Sequence, residues 1–204
     1  GGGRGGGRVR KPEEAHREVG GLPQKPTPPL NDRLVFSAEA VVDEYTRRAR
    51  IVKNGKVVEV EALSGLESFD FPGVGRLECF YTDGLRTLVD TLKLKDMDEK
   101  TIRYPGHVEK IKTIVDMGLL AREPKVLGVR PRDFMEAFIS TTLRLGKGEK
   151  DLTIMEVEVT GESGSATYRL LDKYDEKNSI SSMARTTGYP IAVLTLLVGR
   201  KQIP

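Results

Sequence analysis

The stretch DLTIMEVEVTGESGSATYRLLDKY, residues 151–174, decides the fold class more clearly than any other part of this chain. Its first half alternates between two sets of side chains, Leu152, Ile154, Glu156 and Glu158 against Thr153, Met155, Val157 and Val159. Strict alternation is typical of a strand with two different faces, and the GESG between the halves is typical of a turn. The stretch therefore predicts an antiparallel β-hairpin.

Antiparallel pairing is also predicted around Asn54-Gly55, where RARIVK and KVVEVEAL flank the dipeptide. Asn-Gly is a strong hairpin signal, because both central residues of a type I′ turn need a positive φ. Further strands are predicted over residues 32–37, 76–82 and 101–107, and helices over residues 38–48, 82–92, 107–120, 131–146 and 186–199. Hairpins with helices between them, and no repeating β-α-β period, predict an α+β fold: a mixed, largely antiparallel sheet with helices on one face.

The composition divides the chain into three parts. Residues 1–18 are rich in Gly and Arg and are predicted to be a disordered or foreign tail. LPQKPTPPL crowds prolines into a stiff connector, so residues 19–30 are assigned to a linker. Residues 31–204 remain as one domain, which is long enough to form a hydrophobic core.

Charge and cysteine content argue against several classes of protein. Residues 1–18 carry five basic and three acidic side chains and so supply +2 of the net charge of +3, which leaves the predicted domain nearly neutral. A neutral domain argues against a nucleic-acid partner. No apolar run is long enough to cross a bilayer, so no membrane partner is predicted. The single cysteine, Cys79, is predicted to lie in the core and fits a reducing cytoplasm.

The first residues, GGGRGGGRVRK, satisfy the pattern G-x-G-x-x-G through Gly1, Gly3 and Gly6. In a dinucleotide-binding fold this loop follows a buried strand and opens a helix, and an acidic residue follows about 20 residues later. No apolar strand or helix pattern accompanies the match, so it predicts no cofactor site. Two isolated arginines argue only weakly for a tail that contacts RNA, and that alternative stays open.

Three polar clusters interrupt the regular segments. The first, YTDGLRTL (81–88), passes from a strand to a predicted helix through Asp83-Gly84. A helix N-terminus presents free N–H groups that hold a carboxylate or a phosphate, and Arg86 adds a guanidinium. The alternative is an ordinary helix capped by Thr82 or Asp83.

The second cluster, TIRYPGH (101–107), gathers Arg103, Tyr104 and His107 at a Pro-Gly turn. An arginine can bind a substrate carboxylate through two hydrogen bonds, and a histidine can transfer a proton near neutral pH. In the alternative, Arg103 pairs with a neighbouring acid and His107 only begins a helix.

The third cluster, SISSMARTTGYP (179–190), places hydroxyl groups before an apolar helix, where they cap the helix or surround an anion. Only two histidines are present, His16 and His107, so no metal site is predicted. Asp96 and Asp98 are assigned to a solvated linker.

ECFYTDGLRTLVDTL, TIRYPGHVEKIKTIVDMGLL and SSMARTTGYPIA, in that order, strongly resemble the C-terminal half of the saccharopine dehydrogenase superfamily, especially its lysine 6-dehydrogenase-like branch. VGGLPQKPTPPLNDRLVFS and DEYTRRARIVKNGKVVEVEALSG resemble the start of that half. Several long motifs in register make the resemblance specific. It covers about residues 19–200 and does not cover residues 1–18.

The resemblance implies an NAD(P)-dependent oxidoreductase that acts on the CH–NH group of an amino acid such as lysine or saccharopine. In that family a Rossmann domain binds NAD or NADP, and the C-terminal sheet domain supplies the substrate pocket and homodimer contacts. Hydride passes to the nicotinamide, and water hydrolyses the imine. The implied acid/base residue is His107. The implied substrate-binding residues are Arg103, Tyr104, Arg86, Asp83, Asn31, Ser37, Thr186, Thr187 and Tyr189.

The family's cofactor-binding half would precede GGLP, where this sequence has GGGRGGGRVRKPEEAHRE. We therefore expect a fragment without the Rossmann domain, or a chain whose upstream part was lost through a frame change or a wrong start. Such a chain is expected to bind no cofactor and to oxidise neither lysine nor saccharopine by itself. The alternative is a non-catalytic ligand-binding or dimerisation module. The apolar run IAVLTLLVG needs burial, and it would be an exposed patch if it normally packs on the missing domain.

Overall fold

The computed structural model describes residues 9–203, whose strands join into one mixed sheet of eight. The strands are β1 (Pro12–Pro23), β2 (Ala49–Lys53), β3 (Lys56–Val60), β4 (Glu67–Phe71), β5 (Gly75–Tyr81), β6 (Asp96–Arg103), β7 (Asp151–Gly161) and β8 (Gly164–Lys173). The helices are α1 (Ala38–Thr46), α2 (Leu88–Thr91), α3 (His107–Asp116), α4 (Pro131–Thr142) and α5 (Ser182–Gly199).

The strands run in the order β3-β2-β6-β1-β7-β8, and β5 pairs with both β4 and β6. Among the described strands only β1 and β6 are parallel neighbours, with Glu14 opposite Asp96 and Val19 opposite Thr101. The other pairs are antiparallel, including the predicted hairpin of β7 and β8. The mixed, largely antiparallel sheet predicted from the sequence is confirmed.

The five described helices lie on one face of the sheet, as predicted. Phe80 of β5 packs in a core formed with α1, α3 and α4. Met97 of β6 packs with Val89 of α2, and Thr153 of β7 is hydrogen-bonded to Ser182 at the start of α5. The pairing register and the two-residue period of a strand place Phe80, Met97 and Thr153 on the same face.

The opposite face carries a second hydrophobic core at one end of the strands. Leu22, Ile102 and Ile154 contribute to it from three adjacent strands, and Phe71 of the hairpin of β4 and β5 packs against them. Cys79 lies in this core, which confirms its predicted place. Burial raises the pKa of the Cys79 thiol to about 12, so the thiol is unreactive at neutral pH.

The assignment of residues 12–18 to a tail is wrong, because they belong to β1, between β6 and β7 in the middle of the sheet. Charged side chains are tolerated in this strand since they find partners on the neighbouring strand: His16 Nδ1 lies 3.1 Å from a carboxylate oxygen of Asp98. The strand continues to Pro23, so the connector is limited to residues 24–30. The part of the predicted tail over residues 1–8 lies outside the described residues.

The predicted turn between β2 and β3 agrees with the structure, whereas two other local predictions do not. Asn54 and Gly55 have φ of 52° and 73°, and they join β2 to β3 as predicted. The segment 32–37 forms no strand and contributes only an isolated bridge at Leu34. Asp96, assigned to a linker, begins β6, because pairing with β1 extends that strand beyond its apolar end.

The C-terminal helix α5 begins at Ser182, four residues before its predicted start, so Pro190 lies inside it. Its apolar body is not buried in the described chain: Ile191, Leu194 and Leu196 are each more than half exposed. Within residues 9–203 no helix is both long and apolar enough to cross a membrane.

Candidate functional site

Two cavities lie near the predicted site residues, one on each face of the sheet. The smaller cavity, of about 80 Å³, lies between α1 and the connection from β5 to α2, and we call it the helix-face cavity. Its lining residues are Ala40, Asp43, Glu44, Arg47, Thr82, Asp83, Gly84, Arg86 and Glu99. Four of them are carboxylates and two are arginines, so its wall is predominantly acidic.

Glu99 of β6 is the most buried of these carboxylates, with 3% of its surface exposed. Its Oε2 accepts hydrogen bonds from Thr82 Oγ1 at 2.7 Å and from the Gly84 N–H at 3.1 Å. Thr82 Oγ1 also lies 2.8 Å from Thr101 Oγ1. Within the described residues the second oxygen, Oε1, has no hydrogen bond and lies 4.0 Å from Arg17 Nη2. One oxygen is therefore fixed and the other is available.

Burial raises the pKa of Glu99 to about 7. The hydrogen bonds from Thr82 and Gly84 and the charge of Arg17 favour the ionised form, but they offset only part of the effect of burial. A carboxyl group that titrates near neutral pH beside a cavity is typical of a functional site.

Each of the other three carboxylates of the helix-face cavity is paired with an arginine. The pairs are Asp83 with Arg50 at 3.0 Å, Asp43 with Arg132 at 2.6 Å and Glu44 with Arg103 at 2.8 Å. Burial by itself raises the pKa of Asp83, but hydrogen bonds from Arg50 hold that pKa below its usual value. In the part of the chain that the structure describes, Glu99 is thus the lining carboxylate without an arginine at hydrogen-bonding distance.

Arg103, predicted to bind a substrate carboxylate, is buried among protein groups instead. Its Nη1 donates to the Ile102 carbonyl at 2.9 Å, its Nη2 donates to Glu44 at 2.8 Å, and its Nε lies 3.2 Å from the Asp32 carboxylate. Carboxylates of the protein itself neutralise the charge of Arg103, which agrees with the alternative that Arg103 pairs with a neighbouring acid. Arg103 thereby holds Glu44 at the wall of the helix-face cavity.

His107 lies in the same buried network and lines neither cavity. Only 1% of it is exposed, with Nε2 2.8 Å from the Tyr45 hydroxyl and Nδ1 3.0 Å from the Leu30 carbonyl. A carbonyl only accepts, so Nδ1 carries the proton and Tyr45 donates to Nε2. Burial and the charge of Arg103 lower the pKa of His107 to about 3. The geometry does not support the predicted acid/base role, because both ring nitrogens are occupied.

The prediction of a helix N-terminus at Asp83-Gly84 is wrong. Helix α2 is one turn long, Leu88–Thr91, and begins after this dipeptide. The Gly84 N–H that was expected to hold an anion donates to Glu99 instead. Arg86 is mostly exposed at the rim of the helix-face cavity, and its Nη1 lies 3.8 Å from the Asp83 carboxylate.

Tyr104 and Asn31 line the larger cavity, of about 410 Å³, on the other face of the sheet. Tyr104 directly follows Arg103, and successive residues of a strand point to opposite faces. The sheet therefore divides the cluster that the sequence predicted. The Tyr104 hydroxyl and the Asn31 amide both donate to backbone carbonyls. The charged residues that line this cavity are Arg76 and Lys173.

The remaining predicted residues reach neither cavity. Ser37 caps α1, where its Oγ accepts a hydrogen bond from the Ala40 N–H at 3.3 Å. Thr186 and Thr187 donate to backbone carbonyls one turn earlier in α5, and Tyr189 is 53% exposed. Substrate-binding roles for Ser37 and for these three residues of α5 stay predictions.

The sequence interpretation missed Glu99 and Arg17, which lie in segments assigned to a linker and a tail. Both segments consist largely of charged side chains, a composition typical of a solvated loop rather than of a central strand. The parallel pairing of β1 with β6 puts Arg17 opposite Glu99. Only that long-range pairing brings the two residues together.

Two comparisons with known proteins bear on this arrangement. A sequence model of the saccharopine dehydrogenase C-terminal domain matches residues 6–204. The chain belongs to this family. The match begins inside the segment assigned to a tail, so the boundary drawn at residue 19 from the motifs is wrong.

A solved structure with a similar fold is that of the histidine-tagged apo form of saccharopine dehydrogenase (L-Glu forming) from Saccharomyces cerevisiae. The two share 19% sequence identity with a TM-score of 0.74 over 95% of this chain. The chain covers 60% of the length of that protein. At this identity the likeness shows the fold, which is that of a saccharopine dehydrogenase C-terminal domain.

Proposed function

We propose that this saccharopine dehydrogenase C-terminal domain is the substrate-binding domain of an NAD(P)-dependent oxidoreductase. The substrate is an amino acid whose CH–NH group is oxidised, such as lysine or saccharopine, and the imine is then hydrolysed to a carbonyl. The family match over residues 6–204 supports the oxidoreductase class. The motifs shared with the lysine 6-dehydrogenase-like branch support an amine as the reacting group.

The observation that carries the proposal is the buried carboxylate of Glu99 at the wall of the helix-face cavity, which among the described lining carboxylates has no arginine at hydrogen-bonding distance. An aliphatic amine is a cation at neutral pH, and a buried carboxylate is the group that binds it most strongly. Arg86, exposed at the rim, is placed to bind the carboxylate that every amino-acid substrate also carries. The cavity has room for the amine end of such a molecule, and the rest would extend toward Arg86.

The described residues do not fit a dinucleotide cofactor. The one parallel pair among the described strands, β1 and β6, is followed by α3, whose first N–H groups would be the natural phosphate site. Those N–H groups, of Gly106 and Val108, donate to the Glu78 carboxylate at 3.0 and 2.8 Å. The glycine pattern at residues 1–6 lies outside the described residues. We therefore assign NAD or NADP to a Rossmann domain beyond the described chain.

The exposed helix α5 is the surface that we assign to contact with that Rossmann domain, because Ile191, Leu194 and Leu196 would lose their exposure there. Homodimer formation through this domain, implied by the family resemblance, is part of the same proposal. So is a reducing compartment such as the cytoplasm, since the one cysteine, Cys79, is a free thiol.

Titration of the purified chain with amino acids tests the substrate class. L-Lysine and saccharopine are the ligands, and L-norleucine, which lacks the side-chain amine of lysine, is the control. We expect L-lysine or saccharopine to shift the backbone amide resonances of Thr82 and Gly84, and L-norleucine to leave them unchanged. If neither amine shifts these resonances, the proposed substrate class is wrong.

A second measurement tests the assignment of the cofactor. The purified chain with L-lysine and NAD or NADP is expected to give no rise in the absorbance of the reduced nicotinamide. A rise that depends on lysine would show that this chain binds the cofactor itself.

A second candidate function is a non-catalytic ligand-binding or dimerisation module. The cavity of about 410 Å³ favours it, because that volume is typical of small-molecule sites and lies away from the acidic wall. If a full-length protein that contains this domain binds L-lysine but oxidises it with neither cofactor, the second candidate is correct.

A further inference from the structure

Glu99 differs from the other carboxylates of the helix-face cavity because its hydrogen-bond donors are neutral groups and not arginines. Neutral donors, the Thr82 hydroxyl and the Gly84 N–H, hold its Oε2. Its nearest arginine, Arg17, stands 4.0 Å from Oε1 and donates its own hydrogen bond to the Gly84 carbonyl at 2.7 Å. The negative charge of Glu99 is therefore the least neutralised of the four.

Glu99 is also a buried acceptor with an unused oxygen. Its Oε1 makes no hydrogen bond within residues 9–203, although 97% of the residue is removed from solvent. Oε1 is not among the fully enclosed polar atoms that lack a partner, so it opens onto the cavity and can accept hydrogen bonds there. Glu99 lines the cavity, so a ligand there can supply them.

The size of the helix-face cavity limits what that ligand group is. A volume of about 80 Å³ holds roughly two or three groups the size of a water molecule. A terminal –CH₂–NH₃⁺, such as the side-chain end of lysine, fits that space, whereas a whole amino acid does not. The reacting nitrogen of saccharopine is a secondary ammonium in the middle of the molecule, so of the two named substrates this cavity fits lysine. An ammonium carries three N–H donors, so it can bond Oε1 and still contact neighbouring acceptors.

The charged groups that face Glu99 from the surrounding elements are Arg17 from β1, Asp43, Glu44 and Arg47 from α1, and Asp83 and Arg86 from the connection between β5 and α2. The acidic members of this set are held by arginines, and Arg86 extends into solvent at the rim. None of the described cations lies within hydrogen-bonding distance of Oε1.

We propose that Glu99 binds the reacting ammonium group of the substrate through Oε1 and so selects an amine over an uncharged ligand of the same shape. The identity of the substrate rests on the proposed function, whereas the ammonium site rests on the contacts of Glu99 itself. Thr82 and Gly84 are positioning residues, since they hold Oε2 and thereby aim Oε1.

The pKa of Glu99, raised by burial to about 7, gives the site a defined pH dependence. Below about pH 7 the carboxyl group is neutral and attracts a cation weakly, and above it the carboxylate binds the cation fully. A bound ammonium in turn lowers the pKa of Glu99, because it favours the ionised form.

The first experiment uses the bare cation and needs no variant. The carboxyl carbon of Glu99, enriched with ¹³C, is followed by NMR in the purified chain during titration with methylammonium chloride. Tetramethylammonium chloride at equal ionic strength is the control, because it has the same charge but no N–H donor and is too large for the cavity. We expect methylammonium to lower the pKa of Glu99 and tetramethylammonium to leave it unchanged. Equal effects of the two salts would overturn the ammonium site.

The second experiment compares Glu99→Gln with Asp43→Asn, a lining carboxylate that is already paired with arginine. Glu99→Gln is expected to weaken L-lysine binding by about tenfold or more and to abolish its change near pH 7, while Asp43→Asn weakens it by about threefold at most. If Glu99→Gln binds L-lysine as tightly as the parent chain with the same pH profile, the role of Glu99 is wrong.

The two experiments separate failure of this inference from failure of the proposed function. Binding of methylammonium at Glu99 without binding of L-lysine or saccharopine would leave the ammonium site in place and refute the substrate class. Binding of L-lysine that is insensitive to Glu99→Gln would support the substrate class and refute the role of Glu99. If the chain binds neither methylammonium nor the two amino acids, the ammonium site and the substrate class are both wrong.

Discussion

The carboxylate of Glu99 occupies the space in which any residue other than glycine at position 84 would place its Cβ. A Cβ built on Gly84 would lie 2.3 Å from both Cδ and Oε2 of Glu99, and the Gly84 N–H donates to that same oxygen at 3.1 Å. The absence of a side chain at position 84 and the orientation of Glu99 therefore depend on each other.

Gly84→Ala is expected to destabilise the domain by roughly 2 kcal/mol and to abolish L-lysine binding, because the new methyl group displaces the Glu99 carboxylate. Urea unfolding and NMR titration measure the two effects. Gly188→Ala is the matched control, since a Cβ there has nothing within 4 Å and the position lies inside a helix. If the control loses as much stability as Gly84→Ala, the contact with Glu99 is not the constraint.

Glu99→Gln is expected to change how stability depends on pH. The folded-state pKa of Glu99 is about 7, above its usual value of 4.5, so the native state holds a proton that the unfolded state has released between those values. The stability that Glu99 contributes is complete below about pH 4.5 and is lost as the pH rises to about 7, by an amount on the order of 3 kcal/mol.

The measurement for that prediction is the difference in unfolding free energy between the parent chain and Glu99→Gln across this pH range. Taking the difference removes the contributions of other buried acids such as Glu44 and Asp32, whose pKa values burial also raises. A difference that does not vary with pH would contradict the perturbed titration of Glu99.

His107→Phe is expected to cost roughly 2 to 3 kcal/mol of stability at neutral pH, because the Leu30 carbonyl and the Tyr45 hydroxyl lose their partner. The pKa of His107 is lowered from 6.5 to about 3, so its contribution is complete above about pH 6.5 and is lost as the pH falls toward 3. The His107→Phe variant should therefore not show this loss of stability as the pH falls.

The same variant separates a structural from a catalytic role for His107. Because the ring lines neither cavity, L-lysine binding by folded His107→Phe is expected to equal that of the parent chain. Tyr45→Phe, which removes only the hydroxyl group, serves as the milder control and should cost about 1 kcal/mol. Loss of ligand affinity without loss of stability would restore a role for His107 at the site.

The exposed apolar side chains of α5 are expected to make the purified chain self-associate as its concentration rises. Ile191→Glu combined with Leu194→Glu should return it toward the monomer in light scattering. Phe138→Glu on α4 is the control, because that ring is also exposed but packs in parallel with Phe134. A parent chain that stays monomeric throughout would show that α5 does not drive association.

The sequence determines those elements whose local pattern has a single structural solution. The alternation in residues 151–174 leads to β7 and β8, and the positive φ of Asn54 and Gly55 fixes the turn between β2 and β3. Helices α1, α3 and α4 form where predicted because their apolar residues recur at helical spacing and pack in one core on the sheet. The long shared motifs were sufficient to identify the family.

Tertiary structure decided what local pattern leaves open. A polar stretch such as residues 12–18 becomes a central strand only because β6 and β7 supply backbone hydrogen bonds on both sides and β6 supplies charge partners. The same pairing buries Glu99 opposite Arg17, while the sheet places Tyr104 and Arg103 on opposite faces. The cost of burying a charge depends on what surrounds it in three dimensions, so the titration of Glu99 and the site it defines arise only when distant strands meet.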